Sequence, residues 1–121
     1  MKSPKEIYES FRQSMLLKSD DWTEMLSEGV ELIGPLAQIT GKAGFIEVNK
    51  PFFSSIVSSE LHELIASESK IITRISTTVN VPSGKTIVLE VSEWYEIVNE
   101  ELRSLRVYFD TSELKKELGI E

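Results

Sequence analysis

The sequence contains no cysteine, which excludes thiol catalysis, thiolate metal sites and disulfide stapling. It holds one histidine, His62, so the common metal sites built from several histidines are excluded as well. Basic residues are outnumbered: thirteen Lys and Arg against twenty Asp and Glu give a formal charge of −7. A chain of that sign repels phosphate backbones, and no local basic patch reverses it, which argues against a nucleic-acid partner. No apolar run approaches the roughly 18 residues that a membrane span needs. The opening MKSPKEIYES also lacks the apolar stretch of a secretory leader. These absences lead to the expectation of a soluble, cytoplasmic protein with no metal, no cofactor and no membrane partner.

What remains is the composition of one globular domain. At 121 residues, 40% hydrophobic and 27% charged, the chain is expected to form a single domain over 1–121. Ser3-Pro4-Lys5-Glu6 predicts a helix start, with Ser at the N-cap, Pro at N1 and Glu closing a capping box. Ile7, Tyr8, Phe11 and Met15 then recur at helical spacing. A second helix is expected from Asp20 or Asp21, carrying Trp22, Met25 and Leu26 and ending at Gly29. Val30 to Pro35 reads as a short strand. Thr40 is expected to cap a third helix, Gly41 to about Val57, which Pro51 should kink or interrupt near Asn49.

From Leu61 onward the period changes from 3.6 to 2. Leu61–Ala66, Lys70–Val81, Thr86–Val98 and Leu102–Phe109 read as strands, with turns at Val81–Lys85 and Asn99–Glu101. Asp110 with Glu113 is expected to open a last helix, Thr111 to Leu118, ended by Gly119. Helices first and an antiparallel meander afterwards give an α+β class.

This order resembles the nuclear transport factor 2-like superfamily, which includes ketosteroid isomerases, limonene epoxide hydrolases and SnoaL-like polyketide cyclases. Trp22, the Gly34-Pro35…Gly41 stretch, and the ending Leu105-Arg106-Val107-Tyr108-Phe109-Asp110…Leu118-Gly119 carry the resemblance over nearly the whole chain. It implies a cystatin-like α+β roll: a cone-shaped, curved antiparallel sheet with N-terminal helices on its concave face and an apolar pocket between. It also implies that the convex face packs on a second subunit. The chemistry of the relatives carries over poorly. The hydrolase Arg-x-Asp motif aligns with Arg74-Ile75-Ser76, and its second aspartate falls on Val107, so both water-activating carboxylates are gone. Of the isomerase triad, the base falls near Leu32 and the tyrosine near Gln13, and only the third acid persists, as Glu93. An acid in a hydrophobic pocket is the minimal cyclase requirement, and Glu93 meets it.

Strand alternation assigns the faces. Ile87, Leu89, Val91, Glu93 and Tyr95 form an apolar row with one acid, the better candidate for the helix-covered side, joined by Leu105, Val107 and Phe109. Two readings of Glu93 stand: a proton shuttle raised in pKa by burial, or a structural ion pair with Arg74. Glu93 and Arg74 are therefore the candidate catalytic residues. The candidate pocket for an apolar or amphipathic ligand comprises Trp22, Val30, Leu32, Phe45, Ser76, Thr78, Leu89, Val91, Leu105, Val107 and Phe109. His62 has no triad partner nearby in sequence, and Tyr8 reads as core. The row opposite Arg74 (Ile71, Thr73, Ile75 and Thr77), with Trp94, Arg106 and Tyr108, is expected to form a homodimer interface on the convex face. The expected function is a SnoaL-like pocket protein with proton-transfer or hydration chemistry. The alternative is a non-enzymatic dimerisation or partner-binding module with a vestigial pocket.

Overall fold

The computed structural model describes residues 1–120. Helix α1, Pro4–Leu16, begins as its cap demands: Ser3 Oγ accepts from the Glu6 amide at 3.2 Å, and Glu6 Oε1 accepts from the Ser3 amide at 2.9 Å. Its buried stripe of Ile7, Tyr8, Phe11 and Met15 faces the body of the protein. The expected second helix is only a five-residue 3-10 turn, Asp21–Met25, because Leu26 already turns extended (ψ 138°). Strand β1, Leu26–Ile33, starts there, so Gly29 lies inside a strand rather than at a helix end. A short strand, β2 (Gln38–Thr40), is not legible as one in the sequence and includes the expected cap Thr40. The N-cap of α2, Lys42–Ser55, is Gly41, whose φ of 109° is the reason a glycine stands there.

Helix α2 runs through Pro51, so of the expected kink or interruption near Asn49 the interruption does not occur. The proline leaves the Glu47 carbonyl without its usual amide donor, but it lies only one turn from the helix end. That end is held by Lys18, whose Nζ donates to the carbonyls of Phe53 and Ile56 at 2.6 Å each and of Ser54 at 3.4 Å. A cation on the last carbonyls complements both the unpaired acceptors and the helix dipole. Lys18→Met is therefore expected to cost about 1–2 kcal/mol, the worth of a charged hydrogen-bonded cap, read as a lowered urea midpoint. An unchanged midpoint would count against that role.

The remaining strands are β3 (Ile56–Ser67), β4 (Lys70–Asn80), β5 (Thr86–Val98) and β6 (Glu101–Tyr108). They form an antiparallel meander and, with the first two, one six-stranded sheet in the order β2-β1-β6-β5-β4-β3. The expected all-antiparallel sheet is corrected in one place: β1 pairs with β6 in parallel, making the sheet mixed. That follows from topology, since the chain leaves β1, crosses to the far edge and returns along the meander. The short α3, Ser112–Leu118, is ended by Gly119 in the left-handed region, and Asp110 Oδ1 accepts from the Ser112 amide at 2.9 Å. All helices gather against the concave face, so the fold is the expected α+β cone. No helix among the described residues is long and apolar enough to cross a membrane.

Candidate functional site

A cavity of about 550 Å³ opens between the concave face of the sheet and the helices. That size and its predominantly apolar wall suit a small-molecule site. The sheet contributes Leu32, Ile75, Thr77, Val79, Leu89, Val91, Leu105 and Val107, with Phe109 just past the end of β6; Met15, Phe52, Phe53, Leu114 and Leu118 close it from the helix side. Among the described residues one ionisable side chain lines the space, Glu93.

The register fixes the surroundings of Glu93. It pairs with Thr73 on β4 and Val107 on β6, and directly paired residues share a face. Thr73 Oγ1 donates to Glu93 Oε1 at 2.9 Å. Tyr95, two residues along β5 on the same face, stands beside the carboxyl. From α1, Arg12 and Tyr8 reach the same corner, one helical turn apart and hence on one side of the helix. Arg12 is anchored by Ser59, with Nη1 3.2 Å from its Oγ and Nη2 3.0 Å from its carbonyl.

Burial pushes the Glu93 carboxyl above the ordinary carboxylate range, against the smaller opposing effects of Thr73, Tyr95 and the Arg12 charge. Burial also raises Tyr8 to about 12 and Tyr95 well above the usual phenol, the Glu93 charge adding to both. The chemical result is a carboxyl that keeps its proton more readily than an exposed one, facing an apolar space, with hydroxyls and a guanidinium behind it. Such a group can act as a general acid and, once deprotonated, as a base. Among the described residues no three His, Cys, Asp or Glu side chains are gathered as a metal site.

Several expected site residues stand elsewhere. Arg74 pairs with Ser92, not Glu93, and so points to the convex face, where Nε meets Glu63 Oε1 at 2.7 Å with the side chain 54% exposed. It neither lines the cavity nor pairs with Glu93. Ser76 and Thr78 share its face. Ser76 Oγ donates to Glu90 at 2.7 and 2.8 Å to its two oxygens and lies 2.6 Å from His62 Nε2. Conversely Ile71, Thr73, Ile75 and Thr77, expected on the convex face, are buried on the concave one. The cause is one inverted parity: the expected faces have β4 the wrong way round relative to β5. Trp94, Arg106 and Tyr108 do lie on the convex side, in register with Ile72, Ile33 and Ser92. Leu32, Leu89, Val91, Leu105, Val107 and Phe109 line the cavity. Trp22, Val30 and Phe45 are buried in the core beside it rather than on its wall. Arg12, Thr73 and Tyr95 carry no signal in the sequence that singles them out for the site, and Tyr8 reads there as core.

A model of the SnoaL-like domain matches residues 8–104. No curated protein matches. Solved structures share the architecture at low identity. A protein provisionally named an isomerase from Bacillus subtilis superposes with a TM-score of 0.80 at 21% identity, covering 96% of this chain and 92% of that one. A provisionally named SnoaL-like polyketide cyclase from Jannaschia sp. gives 0.80 at 12%, covering 98% and 92%. TerC, crystallised with polyporic acid, gives 0.80 at 14%, covering 96% and 98%. With the family model spanning most of its length, this chain belongs to the SnoaL-like domain family, and it shares its fold with all three structures.

Proposed function

We propose that the protein binds a small, mostly apolar carbonyl compound in the cone and transfers a proton on it through Glu93. One observation carries this reading: among the described residues, the sole ionisable group on an apolar cavity is a carboxyl whose proton affinity burial has raised. Protonated, Glu93 gives its proton to the carbonyl oxygen; as carboxylate it takes one from the adjacent carbon, so ketone becomes enol and the acid is restored. The neighbours named as an isomerase and a cyclase support this class of chemistry. The test is exchange of the α-hydrogens of apolar ketones with deuterated solvent, followed by mass spectrometry. Acceleration that disappears in Glu93→Gln is the expected result. No acceleration with any ketone that binds returns the protein to the non-enzymatic reading.

We also propose a homodimer through the convex face. A row of paired residues crosses five strands there: Ile65, Ile72, Trp94, Arg106 and Ile33. Ile65 and Trp94 are exposed at 58% and 44%, with Tyr108 beside them at 53%. Trp, Tyr and Arg are the side chains that dominate binding hot spots, and a two-fold axis would bring this same row of each subunit together. Light scattering at micromolar concentration should give twice 13.7 kDa, and Trp94→Glu should halve it. A wild-type mass near 13.7 kDa overturns the proposal.

A further inference from the structure

The hydroxyl of Tyr8 is the one buried side-chain polar atom among the described residues that has no hydrogen-bond partner. The residue is 1% exposed, and its ring is wedged edge-on against Tyr95 with centroids 4.9 Å apart. An unpartnered buried hydroxyl is costly, so its placement calls for an explanation. Its polar neighbours are Thr73 and Arg12, and the charges it senses are those of Glu93 and Arg12.

We infer that Arg12, Tyr8 and Thr73 form a relay of hydrogen-bond donors that is slack while Glu93 holds its proton and tightens on it when the proton leaves. The inference rests on Glu93 being the working acid and names what positions its charge. The direction of each bond follows from the donor inventory. Thr73 has one hydroxyl proton, already given to Glu93 Oε1 at 2.9 Å, so its oxygen can only accept from Tyr8. In the tightened state Tyr8 gives its proton to Thr73, and its own oxygen then accepts from Arg12, a donor without acceptor capacity. Every proton therefore points toward the carboxyl, from cation to anion. Chains aligned in this way polarise one another, and they strengthen when the terminal acceptor becomes charged. Arg12 supplies a fixed origin because Ser59 holds it, and Ser59 Oγ is in turn 3.1 Å from Thr77 Oγ1.

Against a neutral carboxyl the relay gains little, and the Tyr8 hydroxyl stays loose. Against a carboxylate each link shortens. The arrangement thus favours the state created by proton transfer over the resting state, which is how a positioned donor contributes to a reaction. Thr73, Tyr8 and Arg12 are positioning residues in this scheme, since none lines the cavity. The charged or titratable groups facing Glu93 are Arg12 and Tyr8 from α1 and Tyr95 from its own strand.

The experiment is a carbon-detected NMR titration of glutamate carboxyls, with Glu93 assigned by its loss in Glu93→Gln. In Tyr8→Phe the Glu93 midpoint should rise by about half to one pH unit, while the melting temperature stays equal or rises, because an unpartnered hydroxyl has gone. Thr73→Val should raise the midpoint at least as far. The double variant should move it no further than Thr73→Val alone, since Tyr8 acts through Thr73. A Glu93 midpoint unmoved by Tyr8→Phe, additive shifts in the double variant, or a melting temperature several degrees lower in Tyr8→Phe each overturn the relay. The outcome is separable from the proposed reaction. Shifted midpoints without ketone exchange sink the reaction and keep the relay, and unshifted midpoints with exchange do the reverse.

Discussion

Glu93→Gln is expected to abolish ketone exchange, lowering it by about 10²- to 10⁴-fold, while leaving ligand binding and the fold in place. The amide matches the carboxyl in shape and still accepts from Thr73 Oγ1, so the 2.9 Å contact survives. What goes is the transferable proton. The stability readout carries a definite sign. Burial raises the Glu93 pKa in the folded state, so between the unfolded and folded values the native protein binds more protons than the unfolded one. Its contribution is therefore most favourable at low pH and is lost as pH rises through the folded value. The amide of the variant does not titrate, so Glu93→Gln should melt higher than wild type at pH 8, with the gap closing toward pH 4. A structural ion pair predicts the opposite: Glu93 would be depressed, and its removal would destabilise the protein most at neutral pH. Parallel loss of stability and activity at pH 7 would return Glu93 to a structural role.

Much of this site is legible in the sequence, and the part misread is instructive. Alternation along β5 places Glu93 among Leu89 and Val91 on the covered face, and both line the cavity with it. The same alternation on β4 makes Ile71, Thr73, Ile75, Thr77 and Val79 an apolar row. Physics alone sends such a row inward, yet a family motif centred on Arg74 draws the opposite row in. The turn holds the decisive signal. With Val81–Lys85 as the loop, Asn80 closes against Thr86, and counting back along both strands puts Thr73 opposite Glu93. Arg74 then falls opposite Ser92, on the other face, whatever a relative's motif suggests. Arg12 is harder to find. Its position four residues after Tyr8 puts both on one side of α1, but which sheet residues that side meets is a tertiary fact. The parallel β1–β6 pair is likewise beyond local reading, because strand order depends on the crossover and not on either strand's own pattern.

Trp22→Ala is expected to cost about 3–5 kcal/mol without a matching loss of ligand affinity in the folded fraction. The sequence points to Trp22 as part of the pocket wall, whereas the structure buries it in the core at 2% exposure, off the lining. Its indole is packed edge-on against Phe53 at 5.0 Å and Phe11 at 5.9 Å, and lies 6.3 Å from Phe45. These rings join α1 and α2 through the 3-10 turn, so truncation removes aromatic contacts from three elements at once. The turn cannot easily close the gap, because the Trp22 amide is tied to Ser14 Oγ at 2.9 Å and that hydroxyl reaches the Ser19 carbonyl at 3.3 Å. A cavity under a pinned backbone collapses poorly, which puts the loss toward the upper end of that range. For a domain whose whole stability is about 5–15 kcal/mol, the melting temperature should fall on the order of 15 °C. Leu105→Ala supplies the contrast: it lies on the wall, so binding of an apolar ketone should weaken together with stability. Calorimetric titration at about 10 °C, close to the usual temperature of maximum stability, keeps both variants folded and separates the two. If Trp22→Ala loses affinity as steeply as Leu105→Ala while melting near wild type, Trp22 belongs to the ligand and not to the core.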